Sequence, residues 1–124
     1  MPEPANPVSA AVPAESEPAS SFRLALTTAC SRQEADRLAY ALVERRLAAC
    51  VNIIEGVASV YRWQGNVEQS PEVLLLIKTD TSCLEMVQQV ITELHSYQVP
   101  EFLVLTIDSG NPKYLAWLTE ALRP

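Results

Sequence analysis

Residues 50–78 read CVNIIEGVASVYRW, then QGN, then VEQSPEVLLLIK, two extended arms around a short polar break. Successive strand side chains alternate between faces, so Val57, Tyr61 and Trp63 share one side while Ala58, Val60 and Arg62 share the other. The β-branched and aromatic enrichment suits a pleated surface. Gly65-Asn66, just past Trp63, predicts a two-residue, glycine-first II′ turn. Each arm is about twelve residues, roughly double the usual strand. A hairpin of that length overhangs a small sheet and leaves edges and an apolar face in need of cover. In so short a chain the expected cover is another copy of itself. Pro71 lacks a donor midway along the second arm, which predicts a bulge or a free edge there.

The flanking segments set the rest of the plan. Residues 22–28 (FRLALTT) put Phe22, Leu24 and Leu26 on one side and predict a strand. Ser31 and Glu34 form a capping box. Ala35, Leu38, Ala39, Leu42, Val43 and Leu47 then recur at helical spacing, with Arg37, Glu44 and Arg45 toward water. Ser82 and Glu85 make a second capping box, and Leu84, Val87, Ile91 and Leu94 carry a second helix to about His95. Pro100 prevents its continuation. Residues 102–108 (FLVLTID) are apolar on both faces, which predicts a central or well-covered strand. Asn111-Pro112 opens a last helix, with proline at the first helical position. Leu115, Leu118 and Leu122 form its apolar side, with Trp117 beside them. The order β-α-β-β-α-β-α predicts an α+β fold, the ferredoxin-like split βαβ sandwich, enlarged by the long hairpin and an extra C-terminal helix. That plan hosts many unrelated activities and names none of them.

Composition narrows the partners. The chain has 124 residues, 48% hydrophobic and 19% charged, with a net charge of −6. Residues 1–20 hold five of the nine prolines and three of the fifteen acids. Such a Pro/Ala-rich segment cannot bury enough apolar surface to order itself, so it is expected to be a disordered tail before one domain at 21–124. Pro7 and Pro13 break the one apolar run that a signal peptide would need. No basic cluster suggests nucleic acid or an anionic membrane. No apolar stretch approaches the roughly 18 residues of a membrane span. The three cysteines, Cys30, Cys50 and Cys83, are odd in number and contain no C-x-x-C, which points to reduced thiols in a cytoplasmic protein.

The split βαβ plan also sorts the reactive side chains. At the end where the first strand finishes, here called the top, it places Thr27, Thr28, Cys30, the hairpin tip, His95, Tyr97 and Glu101. Cys50 and Cys83 fall at the bottom. The helix from Cys83 to His95 separates those two by roughly 18 Å, so one chain cannot use both on a single ion. His95, the one histidine, reads either as a helix C-terminal cation or as a ligand for Cu, Zn or Ni. Cys50 reads as a buried, inert thiol. Cys83, in the first turn of a helix, and Cys30, just before one, are the thiols open to activation. With one histidine and three glycines, neither a Ser-His-Asp set independent of that histidine nor a Gly-rich phosphate loop can be assembled, and a binding protein rather than an enzyme is expected.

Five ordered segments carry a family resemblance: residues 47–53 (LAACVNI), 59–65 (SVYRWQG), 75–79 (LLIKT), 95–101 (HSYQVPE) and 110–118 (GNPKYLAWL). Together they resemble the divalent-cation tolerance protein CutA family across residues 22–123. The resemblance implies a ferredoxin-like subunit in a tight homotrimer, with the hairpin reaching onto a neighbour and extending its sheet. It implies a cytoplasmic protein of copper and divalent-metal tolerance, with no established enzymatic step. Its proposed copper ligands, a first-strand cysteine and histidine at the end of the second helix, fall here on Thr27 and on Leu94-His95, so His95 alone carries over. Ser96 replaces a proline, and Gln64 and Asn66 replace a Glu and a Lys at the tip. Copper or another divalent cation is the cofactor class this implies. A cleft or interface of Tyr61, Trp63, Tyr97, Glu101 and Trp117 would take metal weakly or a small ligand tightly, with a neighbour's hairpin tip at its wall. A trimeric signalling or scaffold module, similar in build to the PII-type regulators, is the alternative.

Overall fold

Alternating apolar residues and the turn residues between them give seven elements in the computed structural model, which describes residues 20–123. They are β1 (Phe22–Ala29), α1 (Arg32–Glu44), β2 (Cys50–Trp63), β3 (Asn66–Asp80), α2 (Leu84–Leu94), β4 (Leu103–Thr106) and α3 (Pro112–Leu122). The sheet runs β2-β3-β1-β4 with every neighbouring pair antiparallel. This is the expected α+β, ferredoxin-like arrangement. The tail expected at residues 1–20 lies, but for Ser20, outside the described residues.

One face of the sheet is sealed. Ala25 and Ala29 of β1 and Val73, Leu75 and Ile77 of β3 pack under Ala35, Leu38 and Leu42 of α1 and Val87, Val90 and Ile91 of α2. The opposite face carries the alternate residues. The register sets Leu24 and Leu26 beside Leu105 and Leu103 of β4, and Leu26 beside Leu76 of β3. Among the described residues no helix covers Leu103 and Leu105, which are 55% and 47% exposed. α3 closes the lower end instead, where Leu118 and Leu122 pack on Ala49, Phe22 and Cys83.

The hairpin arms are 14 and 15 residues long, longer than the sequence suggested. Trp63 pairs with Asn66, so the loop is Gln64-Gly65, one residue earlier than expected. Both loop residues have positive φ, 50° and 85°, which makes a I′ turn rather than II′ and matches the strand twist. The bulge is not at Pro71. Ile54 faces Leu74 and Val57 faces Glu72, so Glu55 and Gly56 together oppose Val73, with Gly56 at φ 80°. That is the two-against-one count of a β-bulge with glycine in the left-handed region. Pro71 lies beyond the last β1–β3 pair, Ala29 with Val73, on the free-edge stretch where a missing donor costs nothing to a β1 neighbour.

Three other features differ from expectation. α1 stops at Glu44 rather than Leu47. Arg46 turns left-handed at φ 59°, and the Leu47 N–H to Leu42 and Arg46 N–H to Val43 bonds, 2.9 and 3.1 Å, close a Schellman motif that leaves the last carbonyls satisfied. Val43 is consequently exposed rather than part of the stripe. Ser82 caps nothing: its N–H and hydroxyl bond to Asp80 Oδ1 at 3.0 and 2.6 Å, and Cys83 is the N-cap without a side-chain bond. The final strand is neither central nor covered, being a four-residue edge strand with every residue exposed. At α3 the expectation holds, with Asn111 Oδ1 accepting from the Lys113 N–H at 2.9 Å and Pro112 at the first position.

Candidate functional site

The top end of the sheet is tied together by buried polar bonds. The Thr27 hydroxyl, fully buried, donates to the Glu101 carbonyl at 2.7 Å. His95 Nδ1 accepts from the Tyr97 N–H at 3.0 Å, so the ring proton sits on Nε2, which donates to the Thr28 carbonyl at 2.6 Å. Glu34 is the third tie. Its backbone N–H bonds to the Ser31 hydroxyl as the capping box requires. Its carboxylate, however, accepts from the Cys30 N–H at 2.9 Å and from the Ser96 N–H at 2.7 Å. Burial alone would push this carboxyl up, but the two N–H donors override it and hold Glu34 down at about 2. The 3.8 Å approach of Glu34 to His95 Nδ1 is a contact rather than a bond, because that nitrogen already serves Tyr97. The segment 95–101 is thus bound to both β1 and α1.

These ties aim Tyr97. Its ring lies 4.7 Å from the His95 ring at a tilt of 47°, and its hydroxyl donates to Glu72 Oε2 at 3.0 Å. Partial burial, the bond to Glu72 and that carboxylate's charge together push the Tyr97 phenol up to about 12, so it stays a neutral donor.

The bulge aims the other wall. Below it the even-numbered residues of β2, such as Asn52 and Ile54, oppose Leu76 and Leu74 of the open face. Two residues against one reverse that parity, so the odd-numbered Val57, Ser59 and Tyr61 oppose Glu72, Ser70 and Glu68. Without Glu55-Gly56, Tyr61 and Trp63 would face the helices. Arg32 bridges Asp36 of α1 and Glu55 of the bulge at 2.8 and 2.9 Å, and the Tyr61 hydroxyl bonds to Ser70 at 2.8 Å.

Between the two walls lies a cavity of about 550 Å³. Tyr61, Trp63 and Tyr97 give it aromatic surface, and Glu72 and Glu101 give it carboxylates; Thr28, Ser59, Val60 and Val99 complete the lining. Four of the five residues expected at a cleft line this cavity, Tyr61 and Trp63 from the hairpin arm and Tyr97 and Glu101 from the segment after α2. Trp117 does not; it stands on α3 against Tyr114, 5.4 Å between ring centres. Glu34 and Glu72 were missed. The capping box marked Glu34 as a helix start, but nothing local shows that its carboxylate reaches Ser96. Glu72 joins the site only through strand register.

The residues present do not fit a tight copper centre. Both ring nitrogens of His95 are engaged and its side chain is fully buried. Thr27 offers a hydroxyl that is already donating. Among the described residues no three His, Cys, Asp or Glu side chains stand together as a metal group. All three cysteines are free. Cys30 is exposed, 3.7 Å from the Ser96 hydroxyl. Cys50 is half-buried rather than buried, 3.8 Å from Lys78 Nζ. Cys83 is half-buried at the start of α2, 3.9 Å from the Arg46 carbonyl. Among the described residues no helix is long and apolar enough to cross a membrane.

Known proteins resemble this chain over nearly all of its described length. The family model for the CutA1 divalent ion tolerance protein matches residues 23–121. A divalent-cation tolerance protein CutA of Thermus thermophilus is 50% identical over 95 residues, which are 77% of this chain and 92% of that protein. A chloroplastic CutA protein of Arabidopsis thaliana is 44% identical over 96 residues, 77% of this chain but only 53% of that longer protein. The crystal structure of CutA1 from Shewanella sp. SIB1 superposes with a TM-score of 0.82 at 37% identity, covering 86% of this chain and 100% of that one. The chain belongs to the CutA1 divalent ion tolerance family.

Proposed function

We propose that this chain works in tolerance to copper and other divalent cations as a cytoplasmic homotrimer that binds and does not catalyse. The observation that carries the assembly is the open sheet face, where Leu103, Leu105 and Ile54 are 55%, 47% and 42% exposed beside Leu24, Leu26, Leu74 and Leu76. A contiguous apolar patch of this kind marks an association surface, and a free edge strand beside it invites pairing with another sheet. The odd count of free cysteines supports a reducing compartment. The cavity between the hairpin arm and the 95–101 segment is the binding site in this reading. A divalent cation would meet it only through the carboxylates of Glu72 and Glu101, at low affinity. The hydrogen bonds that occupy His95 favour the alternative of a small ligand, with metal tolerance an indirect result.

Native mass spectrometry after incubation with copper(II) reads both parts at once. The expected particle holds three chains and retains no stoichiometric copper, and His95→Gln leaves the metal count unchanged. A single chain per particle refutes the assembly. One tightly held copper per chain that His95→Gln removes restores a histidine metal centre and refutes the ligand reading.

A further inference from the structure

We infer that the cavity walled by Tyr61, Trp63 and Tyr97 takes an organic cation, an ammonium or guanidinium group carried on an apolar body. This rests on the proposal above that the cavity is the binding site. Three kinds of occupant can be weighed against its lining. An anion would face Glu72 and Glu101 with no Lys, Arg or His among the lining residues to offset them. A neutral apolar molecule would strip water from two carboxylates and give them no partner in return. A bare or hydrated metal ion would use a small part of the 550 Å³, which is in the range of sites that enclose a small organic molecule.

An organic cation uses every feature of the wall. Its charge is drawn both to the carboxylates and to the faces of aromatic rings, Trp and Tyr being the strongest of these. Its apolar body meets Val60 and the ring surfaces. Glu72 gives Oε2 to the Tyr97 hydroxyl, which orients the carboxylate, and the second oxygen makes no protein hydrogen bond among the described residues. The Tyr97 phenol keeps its proton and so goes on donating to Glu72. The chain's net charge of −6 draws cations and repels anions at longer range.

Two tryptophans make this testable by fluorescence, since Trp63 lines the cavity and Trp117 does not. In a Trp117→Phe chain, Trp63 emission is titrated with benzyltrimethylammonium chloride, benzyl alcohol and sodium benzenesulfonate. Calorimetry of the unsubstituted chain with the same probes supplies the ranking if that variant does not fold. The expected result is saturable binding of the cation, roughly tenfold or more tighter than of the alcohol, and a loss of roughly tenfold in each of Glu72→Gln and Glu101→Gln. Equal affinity for cation and alcohol, or unchanged affinity in both glutamine variants, overturns the inference. Preferential binding of the sulfonate overturns it while leaving the cavity as the ligand site. No binding of any probe overturns both readings. Copper(II) chloride that displaces the cation at micromolar concentration makes the cavity a metal site instead and overturns the inference as well.

Discussion

On the helical face of the sheet Leu75 and Ile77 are completely buried beneath α1 and α2, while one residue along the same strand Leu74 and Leu76 look out onto Leu26 and its half-exposed neighbour Leu103. The two faces use the same residue type at the same spacing. They differ in what the chain has left to cover them with. A strand apolar on both sides needs two layers, and α1 and α2 supply one, since α3 is spent on the lower end. Among the described residues the sheet has a helical layer on one face only. The same incompleteness explains why β4 reads as a central strand in the sequence and stands at an edge in the fold.

Truncating one residue on each face separates them. Leu75→Ala on the sealed face is expected to cost about 2–5 kcal/mol, from lost burial and the cavity left behind, and urea unfolding should give the same loss at every protein concentration. Leu26→Asp on the open face is expected to cost about 2 kcal/mol at micromolar concentration and far less on dilution, because it acts on association rather than on the core. A cost independent of concentration at Leu26 would erase the distinction between the faces.

The two capping boxes offer a smaller contrast. Glu34 fastens three segments through the Cys30 and Ser96 N–H groups, whereas at the Ser82 end Asp80 does the bonding, to Ser82 and to Arg123 Nη2 at 2.7 Å. Glu34→Gln should cost about 1–3 kcal/mol, the range for bonds to a buried charged group. The pH dependence follows from sign. The Glu34 carboxyl lies at about 2 when folded and near 4.3 when unfolded, so its contribution is complete above about pH 4.3. It is lost as pH falls through the folded value, and the glutamine variant should show a shallower acid limb in urea midpoints taken between those limits. Gly56→Ala is the smallest of these effects. A Cβ there meets no atom within 4 Å, so the cost is backbone strain alone, about 1 kcal/mol at φ 80°. A much larger loss, read by the same denaturation, would mean that the bulge bears more of the fold than its surroundings show.

The elements and their order were legible because hydrophobic period and caps are local signals. The long hairpin, the Ser31 cap and the Asn111-Pro112 helix start all depend on residues within a few positions of one another. What the sequence concealed depends on pairing between distant segments. Glu55-Gly56 looks like any polar break in a strand, and its role appears only when Ile54 and Val57 are matched to Leu74 and Glu72. That one extra residue decides which way Tyr61 and Trp63 face. Topology assigns Trp63 at the hairpin tip, Tyr97 and Glu101 to one end, and the structure brings them with Tyr61 to one cavity. Trp117, expected with them at a cleft or interface, stands on α3 beside Tyr114 and does not line the cavity. His95 was read by residue type as a ligand or a helix-end cation. In the fold its ring joins the Thr28 carbonyl to the Tyr97 N–H, a pairing of distant segments that residue type does not show.

Whether the open leucine face is closed by further copies of the chain is answered most directly by light scattering of the intact protein through a dilution series. A particle of three times the 13.7 kDa chain mass, constant from micromolar to nanomolar concentration, is the expected result. A particle of one chain mass at micromolar concentration would leave Leu26, Leu103 and Leu105 in water and contradict the assembly on which the proposed function stands.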